Sequence, residues 1–235
     1  QIKKKILKFD KVIKVSGDKS ISIRCVLLAS QAIGKSRIYN LLESEDVINT
    51  LKSIKKLGIN YKKIKNYYEI EGFGLKGFNT KNKVILNAGN SGTFARLVLG
   101  LLVDSENEIT ITGDKSLSRR DFSRVTSPLK LFGAVLKSKD NQLPVKIKGS
   151  NFLRPIEYFE KLGSAQCKSS VILAALKTPG LTKIKAKKSR NHTELLLKNL
   201  KLPIQTSSSK YYDYIKIKGQ NNFGGFNYSI PGDIS

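Results

Sequence analysis

Three short phrases in the chain carry residue types suited to holding an anion: Gly17-Asp18-Lys19-Ser20, Asn90-Ser91-Gly92-Thr93 and Gly163-Ser164-Ala165-Gln166. Each joins glycine or a small residue to a hydroxyl, and each runs into a strongly apolar stretch: Ile21 to Ile33, Phe94 to Val103 and Val171 to Leu176. Such a phrase reads as a helix start, where unpaired backbone N–H groups and about half a positive charge face outward. Small residues there let an anion approach the backbone closely. Basic side chains accompany all three: Lys19 and Arg24, Arg96, and Lys168.

The elements that must position these phrases repeat. Ser20, Gly92 and Ser164 recur at equal intervals. After each apolar helix a short strand is expected (Arg37 to Leu41, Glu108 to Thr112, Leu181 to Lys185). A second helix follows (Asp46 to Leu57, Phe122 to Phe132, His192 to Leu202), and two short strands then end in similar phrases closing at Gly72, Gly149 and Gly219. The period is too long for a solenoid module and suits three compact α/β units round a common axis. In the second helix of unit one, Val47, Ile48, Leu51, Ile54 and Leu57 form one apolar stripe, as on a surface helix. The first helix of each unit is apolar nearly all round, so it is expected to be covered on every side. Three such helices packed in parallel would bring three electropositive ends to one mouth.

Composition narrows the partners. With 235 residues and 40% hydrophobic content the chain can build a sizeable core of one or two domains. No apolar run reaches membrane-spanning length, and no apolar signal region opens the chain. Two cysteines, Cys25 and Cys167, fit small core fillers in a reducing, cytoplasmic compartment, and one histidine argues against a His/Cys metal site. The net charge of +25, from 43 basic and 18 acidic residues, raises nucleic acid as a partner. Only eight of the basic residues are arginines, and the lysines are scattered without an aromatic stacking motif, so no nucleic-acid partner is expected. The chain opens on Gln1 and stops just after Pro231-Gly232-Asp233, and it reads as a fragment.

Five phrases in order resemble the signatures of the 5-enolpyruvylshikimate-3-phosphate (EPSP) synthase family. They are Gly17 to Arg24, Asn87 to Thr93 with Arg96, Gly113-Asp114-Lys115-Ser116-Leu117 with Arg120, Ser164 to Ser169, and Ser189 to Glu194. Singly each is ordinary helix-start chemistry; order and spacing together make the likeness specific. The resemblance implies an α/β fold, an inside-out α/β barrel of three βαβαββ-type repeats with buried parallel helices and outer sheets. It implies that residues 1–16 form a strand of a second domain. Residues 17–230 would be the first domain, with repeats at about 17–82, 83–152 and 153–230. Residues 231–235 would be a second crossing, with the rest of the second domain absent.

The resemblance also implies an activity: transfer of the enolpyruvyl group of phosphoenolpyruvate to the 5-hydroxyl of shikimate 3-phosphate, releasing phosphate, on the route to chorismate and the aromatic amino acids. No cofactor or metal is implied, and a monomer is expected at full length. Lys19 would contact both substrates and is the catalytic candidate. Lys19, Ser20, Arg24, Ser164, Ala165, Gln166, Ser189 and Arg190 would hold shikimate 3-phosphate, with Arg24 near its carboxylate. Lys19, Gly92, Arg120 and Gln166 would hold phosphoenolpyruvate, and Gly92 would leave room for the inhibitor glyphosate. The acid–base aspartate, lysine and glutamate of the family belong to its second domain, so the fragment alone is expected to be inactive. Ser16 and Asp121 stand where the family usually has proline, and Leu97 where some members do; Asp121 is placed to neutralise part of Arg120. The sister transferase acting on UDP-N-acetylglucosamine fits less well. It carries Lys-Asn in place of Lys19-Ser20, lacks the arginine at Arg24, and uses a loop cysteine near Arg119 and Arg120, where none occurs. A basic nucleic-acid-binding α/β protein is the alternative of a different class.

Overall fold

A computed structural model describes residue 10, residues 15–80 and residues 82–233; most of the expected strand at 1–16 lies outside the described residues. The first repeat comprises α1 (Lys19–Ala29), β1 (Ile33–Tyr39), α2 (Glu45–Lys56), β2 (Asn60–Ile64) and β3 (Tyr67–Phe73). The second comprises β4 (Val84–Asn87), α3 (Gly92–Leu101), β5 (Ile109–Thr112), α4 (Lys115–Ser118), α5 (Ser123–Leu131), β6 (Val135–Lys137) and β7 (Val145–Lys148). The third comprises β8 (Glu157–Glu160), α6 (Ala165–Lys177), β9 (Leu181–Lys187), α7 (His192–Asn199), β10 (Ile204–Ser208) and β11 (Tyr212–Lys218), and β12 (Asn227–Ser229) follows. No helix of the described residues is long and apolar enough to cross a membrane.

The three sheets share one plan, in the orders β12-β1-β3-β2, β4-β5-β7-β6 and β8-β9-β11-β10. In each, the outermost pair at one edge is parallel and the other pairs are antiparallel. Strand alternation decides which face meets the helices: in β9, Thr182, Ile184 and Ala186 are buried while the intervening side chains are exposed. Residues 227–229, assigned to the third repeat from sequence, pair with the first sheet beside β1. In repeats two and three the parallel edge strand precedes the core helix. In repeat one that strand comes from the far end of the chain, which places Gly17 against Gly232 in a β-bridge and lets Asp18 N donate to Pro231 O at 3.0 Å.

The core helices α1, α3 and α6 are buried nearly all round, as their apolar sequences require. They run in the same direction. At one end Gln166 Nε2 donates to Thr93 Oγ1 at 3.0 Å and Arg24 Nη2 donates to Ser169 Oγ at 3.2 Å. At the other end Lys177 joins all three repeats: its Nζ lies 3.0 Å from Asp104 Oδ1, donates to Gln31 Oε1 at 3.3 Å and donates to Leu75 O. The apolar run Ile21 to Ile33 is divided, because α1 ends at Ala29 and Ile33 opens β1 after a turn in which Ser30 Oγ donates to Leu27 O. By contrast α2 buries one stripe, Val47, Thr50, Leu51, Ser53 and Ile54.

The three phrase-ending glycines have a common cause. A Cβ at Gly72 would stand 2.5 Å from Ala29 O, at Gly149 2.1 Å from Ser105 N, and at Gly219 2.2 Å from Ala175 O. In each repeat the closing strand is therefore pressed against the backbone at or just after the C-terminal end of the core helix, with no room for a side chain.

Lys168, expected among the basic residues of the helix openings, is instead wholly buried. Its Nζ lies 2.7 Å from Glu194 Oε1 and 3.7 Å from Asp213 Oδ2, so its charge is consumed inside the third repeat.

Gly219→Ala should lower unfolding stability by about 1–3 kcal/mol through backbone overpacking. Gly224→Ala, where an added methyl meets nothing within 4 Å, should stay within about 0.5 kcal/mol. Urea unfolding measures both. Lys168→Met leaves Glu194 buried and unpaired and should cost about 3–5 kcal/mol, much of which Lys168→Met/Glu194→Leu should recover in the same double-mutant cycle.

Candidate anion-binding site

Each core helix begins with a side-chain cap. Asp18 Oδ1 accepts from Ile21 N at 2.6 Å, Ser91 Oγ from Phe94 N at 3.2 Å, and Ser164 Oγ from Cys167 N at 3.2 Å. These caps are themselves evenly spaced. They set the structural register of the repeat, so Lys19, Gly92 and Ala165 are the equivalent first helical residues, rather than Ser20, Gly92 and Ser164. Each capped end keeps further N–H groups open to a ligand.

The loops before the helices are braced from the sheets. Asn87 Oδ1, at the end of β4, accepts from Gly89 N at 2.9 Å. Glu160, at the equivalent end of β8, accepts from Ser164 N at 2.9 Å and from Leu162 N at 3.3 Å, and Arg124 holds it at 2.8 Å. The second and third phrases are tied together: Asn90 Nδ2 donates to Asp114 Oδ2 at 2.6 Å, and Asp114 Oδ1 accepts from Leu117 N at 2.7 Å. The Asn90 bond, then the backbone bonds, hold the Asp114 carboxyl below its ordinary range. This brace caps α4 and brings Arg120, just beyond that helix, beside Gly92.

Gly92, Arg96, Arg120 and Gln166 form one group. A Cβ at Gly92 would stand 2.6 Å from Arg96 Nη1 and 3.3 Å from Arg120 Nη1, so two guanidinium groups crowd the start of α3. Arg96 Nη1 donates to Gly92 O at 3.2 Å and to Gln166 Oε1 at 3.1 Å, and its guanidinium lies over the Phe122 ring, 4.7 Å from the centroid. Burial lowers the pKa of Arg96. Asp121 does not turn to Arg120: its carboxylate accepts from Ser123 N and from Ser123 Oγ, both at 2.7 Å, where it braces the start of α5.

Arg24 forms a second group, only 5% exposed. Its Nε donates to Thr193 Oγ1 at 2.9 Å, its Nη2 to Ser169 Oγ, and its Nη1 to Ser20 O at 2.9 Å. Burial brings its pKa down to about 10, against the pull of Glu194 and Asp18, so it remains a cation at neutral pH. Burial, then Arg24, holds the imidazole of His192 below its ordinary range. The positive charge of Arg190 acts on both.

The remaining expected residues stand apart from these bonds. Lys19 begins α1 with its Nζ 3.0 Å from Asp46 Oδ2, and its side chain is half exposed. Ala165 opens α6 and is half-buried. Ser189 Oγ is buried without a hydrogen-bond partner, and Arg190 is exposed. Sequence reading passed over Glu160 and the bonding roles of Thr93, Ser169 and Thr193, whose partners lie up to 169 positions away. An acid four places before Ser164 in so basic a chain was the one available signal. A cavity of about 270 Å³ lies at the opposite ends of the core helices, against Leu101, Asp104 and Lys177, and belongs to no part of this cluster.

The family model described as EPSP synthase (3-phosphoshikimate 1-carboxyvinyltransferase) matches residues 3–235. Curated relatives named 3-phosphoshikimate 1-carboxyvinyltransferase include one from Vesicomyosocius okutanii, 40% identical over 224 residues, covering 95% of this chain and 50% of the relative. Another, from Lactococcus lactis, is 39% identical over 226 residues, covering 95% and 51%. The solved EPSP synthase of Acinetobacter baumannii superposes with a TM-score of 0.86 at 32% identity, covering 94% of this chain and 50% of that one. The chain thus spans about half the length of the curated relatives it matches. Five ordered phrases, three repeats and the clustered helix openings all agree with one conclusion: this chain belongs to the EPSP synthase family.

Proposed function

We propose that this chain is the shikimate 3-phosphate-binding half of a cytoplasmic, monomeric enzyme that transfers the enolpyruvyl group of phosphoenolpyruvate to the 5-hydroxyl of shikimate 3-phosphate. The observation that carries this reading is the meeting of the α1, α3 and α6 openings, bonded through Thr93–Gln166 and Arg24–Ser169, with Arg24, Arg96, Arg120 and Arg190 around them. The chemistry requires two polyanions to lie side by side with their charge balanced, which preorganised N–H groups and guanidinium forks supply.

The roles follow from what each group has left to offer. Ser164 Oγ accepts from Cys167 N and keeps its hydroxyl proton for a phosphate oxygen. Ser189 Oγ, buried and unpartnered, is a second donor for shikimate 3-phosphate, beside Arg190, Ser20 and Ala165. Gly92 offers its backbone N–H, by exchanging its 3.0 Å bond to Asn90 O, and Arg120 a charged fork, to the phosphate of phosphoenolpyruvate. Lys19 lies between the two substrates once Asp46 releases it. Gln166 reaches the bound substrates by exchanging its bonds to Arg96 and Thr93. The acid–base groups belong to a second domain, reached through the two chain segments that meet in a β-bridge at Gly17 and Gly232. The buried, free Cys25 and Cys167 agree with a reducing compartment.

In the full-length protein, phosphate release from phosphoenolpyruvate should depend on shikimate 3-phosphate, whereas the 235-residue chain alone should give no product. Product from the chain alone, or none from the full-length protein, would refute this. Arg120→Ala should cut kcat/KM for phosphoenolpyruvate by about 10- to 100-fold, the worth of a charged hydrogen bond. Glyphosate should inhibit turnover; undiminished turnover at high concentration counts against the role given to Gly92. Shikimate 3-phosphate should raise the melting temperature, and any nucleic-acid binding should vanish with added salt.

A further inference from the structure

Arg24, Thr193 and Ser169 close a triangle of hydrogen bonds. Arg24 Nε donates to Thr193 Oγ1 at 2.9 Å, Arg24 Nη2 to Ser169 Oγ at 3.2 Å, and Thr193 Oγ1 donates to Ser169 Oγ at 2.7 Å. Thr193 and Ser169 are each 1% exposed, so the triangle is shut off from water. The Thr193 hydroxyl is fully directed, since its proton goes to Ser169 and a lone pair receives Nε–H.

The edge of a guanidinium formed by Nε and the neighbouring Nη is one of its two bidentate faces for a carboxylate. In this chain the two hydroxyls occupy that face. A third N–H, on Nη1, is given to Ser20 O. Of the five N–H donors of an arginine, one on Nη1 and one on Nη2 carry no bond here, and the end-on edge between those two nitrogens is the bidentate face that the two hydroxyls do not occupy. We infer that Thr193 and Ser169 are positioning residues that block the side-on face of Arg24 and present only its end-on edge to a substrate carboxylate. Thr193 lies in α7 and Ser169 in α6, so the third repeat sets the aim of an arginine from the first. This inference rests on the proposed binding of shikimate 3-phosphate, whose carboxylate is the anion Arg24 would meet.

The test uses the full-length protein with Thr193→Val, Ser169→Ala and Thr193→Ser, and reads two independent quantities. The first is the exchange rate of the Arg24 Nε–H by NMR in the ligand-free protein. It should be slow in the parent, faster by at least about tenfold in Thr193→Val, and slow again in Thr193→Ser. The second is substrate affinity. Thr193→Val and Ser169→Ala should raise the KM for shikimate 3-phosphate about tenfold or more, change the KM for phosphoenolpyruvate less than about twofold, and leave kcat nearly unchanged; Thr193→Ser should restore the parent value. Rapid Nε–H exchange in the parent, or unchanged exchange in Thr193→Val, overturns the clamp. Unchanged KM in both hydroxyl-deletion variants, or equal losses for the two substrates, overturns its role in binding. If the parent shows the slow Nε–H but binds no shikimate 3-phosphate, the functional reading fails while the exchange data still decide the clamp.

Discussion

Parallel packing of three apolar helices is the constraint on which the rest of this structure depends. Helices that run the same way place like ends together, so both ends need an answer. At the C-terminal end the answer is internal: Lys177 sits among groups from all three repeats and places a cation where carbonyl oxygens gather. At the N-terminal end Asp18, Ser91 and Ser164 each satisfy one donor, and the remaining field stays positive. Arginines added to that end deepen the field rather than cancel it. A site of this kind favours anions before any ligand arrives.

The same packing sets how close the parts must come. Gly100 lets the backbones of α3 and α6 touch, since a Cβ there would lie 2.2 Å from Ser170 O. That contact brings Thr93 and Gln166 into bonding range and carries Arg96 across to the Gln166 amide. At Gly92 the missing side chain leaves room for two guanidinium groups against the start of a helix. The sheets support this from outside, with Glu160 and Asn87 bracing the loops that deliver α6 and α3.

Charge in this protein is largely decoupled from the site. Twelve of the 43 basic residues lie exposed on the described strands, away from the helix openings. Glu69 alone faces Lys35, Arg37 and Lys62 on the first sheet. At the helix openings Arg24 and Arg96 matter because neighbours fix their geometry and burial makes their contacts stronger.

Periodicity and composition by themselves determined the three repeats, the all-round burial of one helix per repeat, the surface stripe of α2 and the glycines that close each repeat. Those features depend on neighbours along the chain or on a face shared within one element, and such information is written locally. Order and spacing of the phrases also determined the family. The tertiary structure alone decided which charges remain available. Lys168 and Arg24 occupy similar places in their helix openings, yet one is neutralised by Glu194 and Asp213 and the other is clamped by Thr193 and Ser169. It also decided that β12 completes the first sheet and that Asp121 turns to Ser123. Partners in β12–β1 and Arg24–Thr193 lie far apart in the chain and meet only when the three helices pack, so no local pattern encodes them.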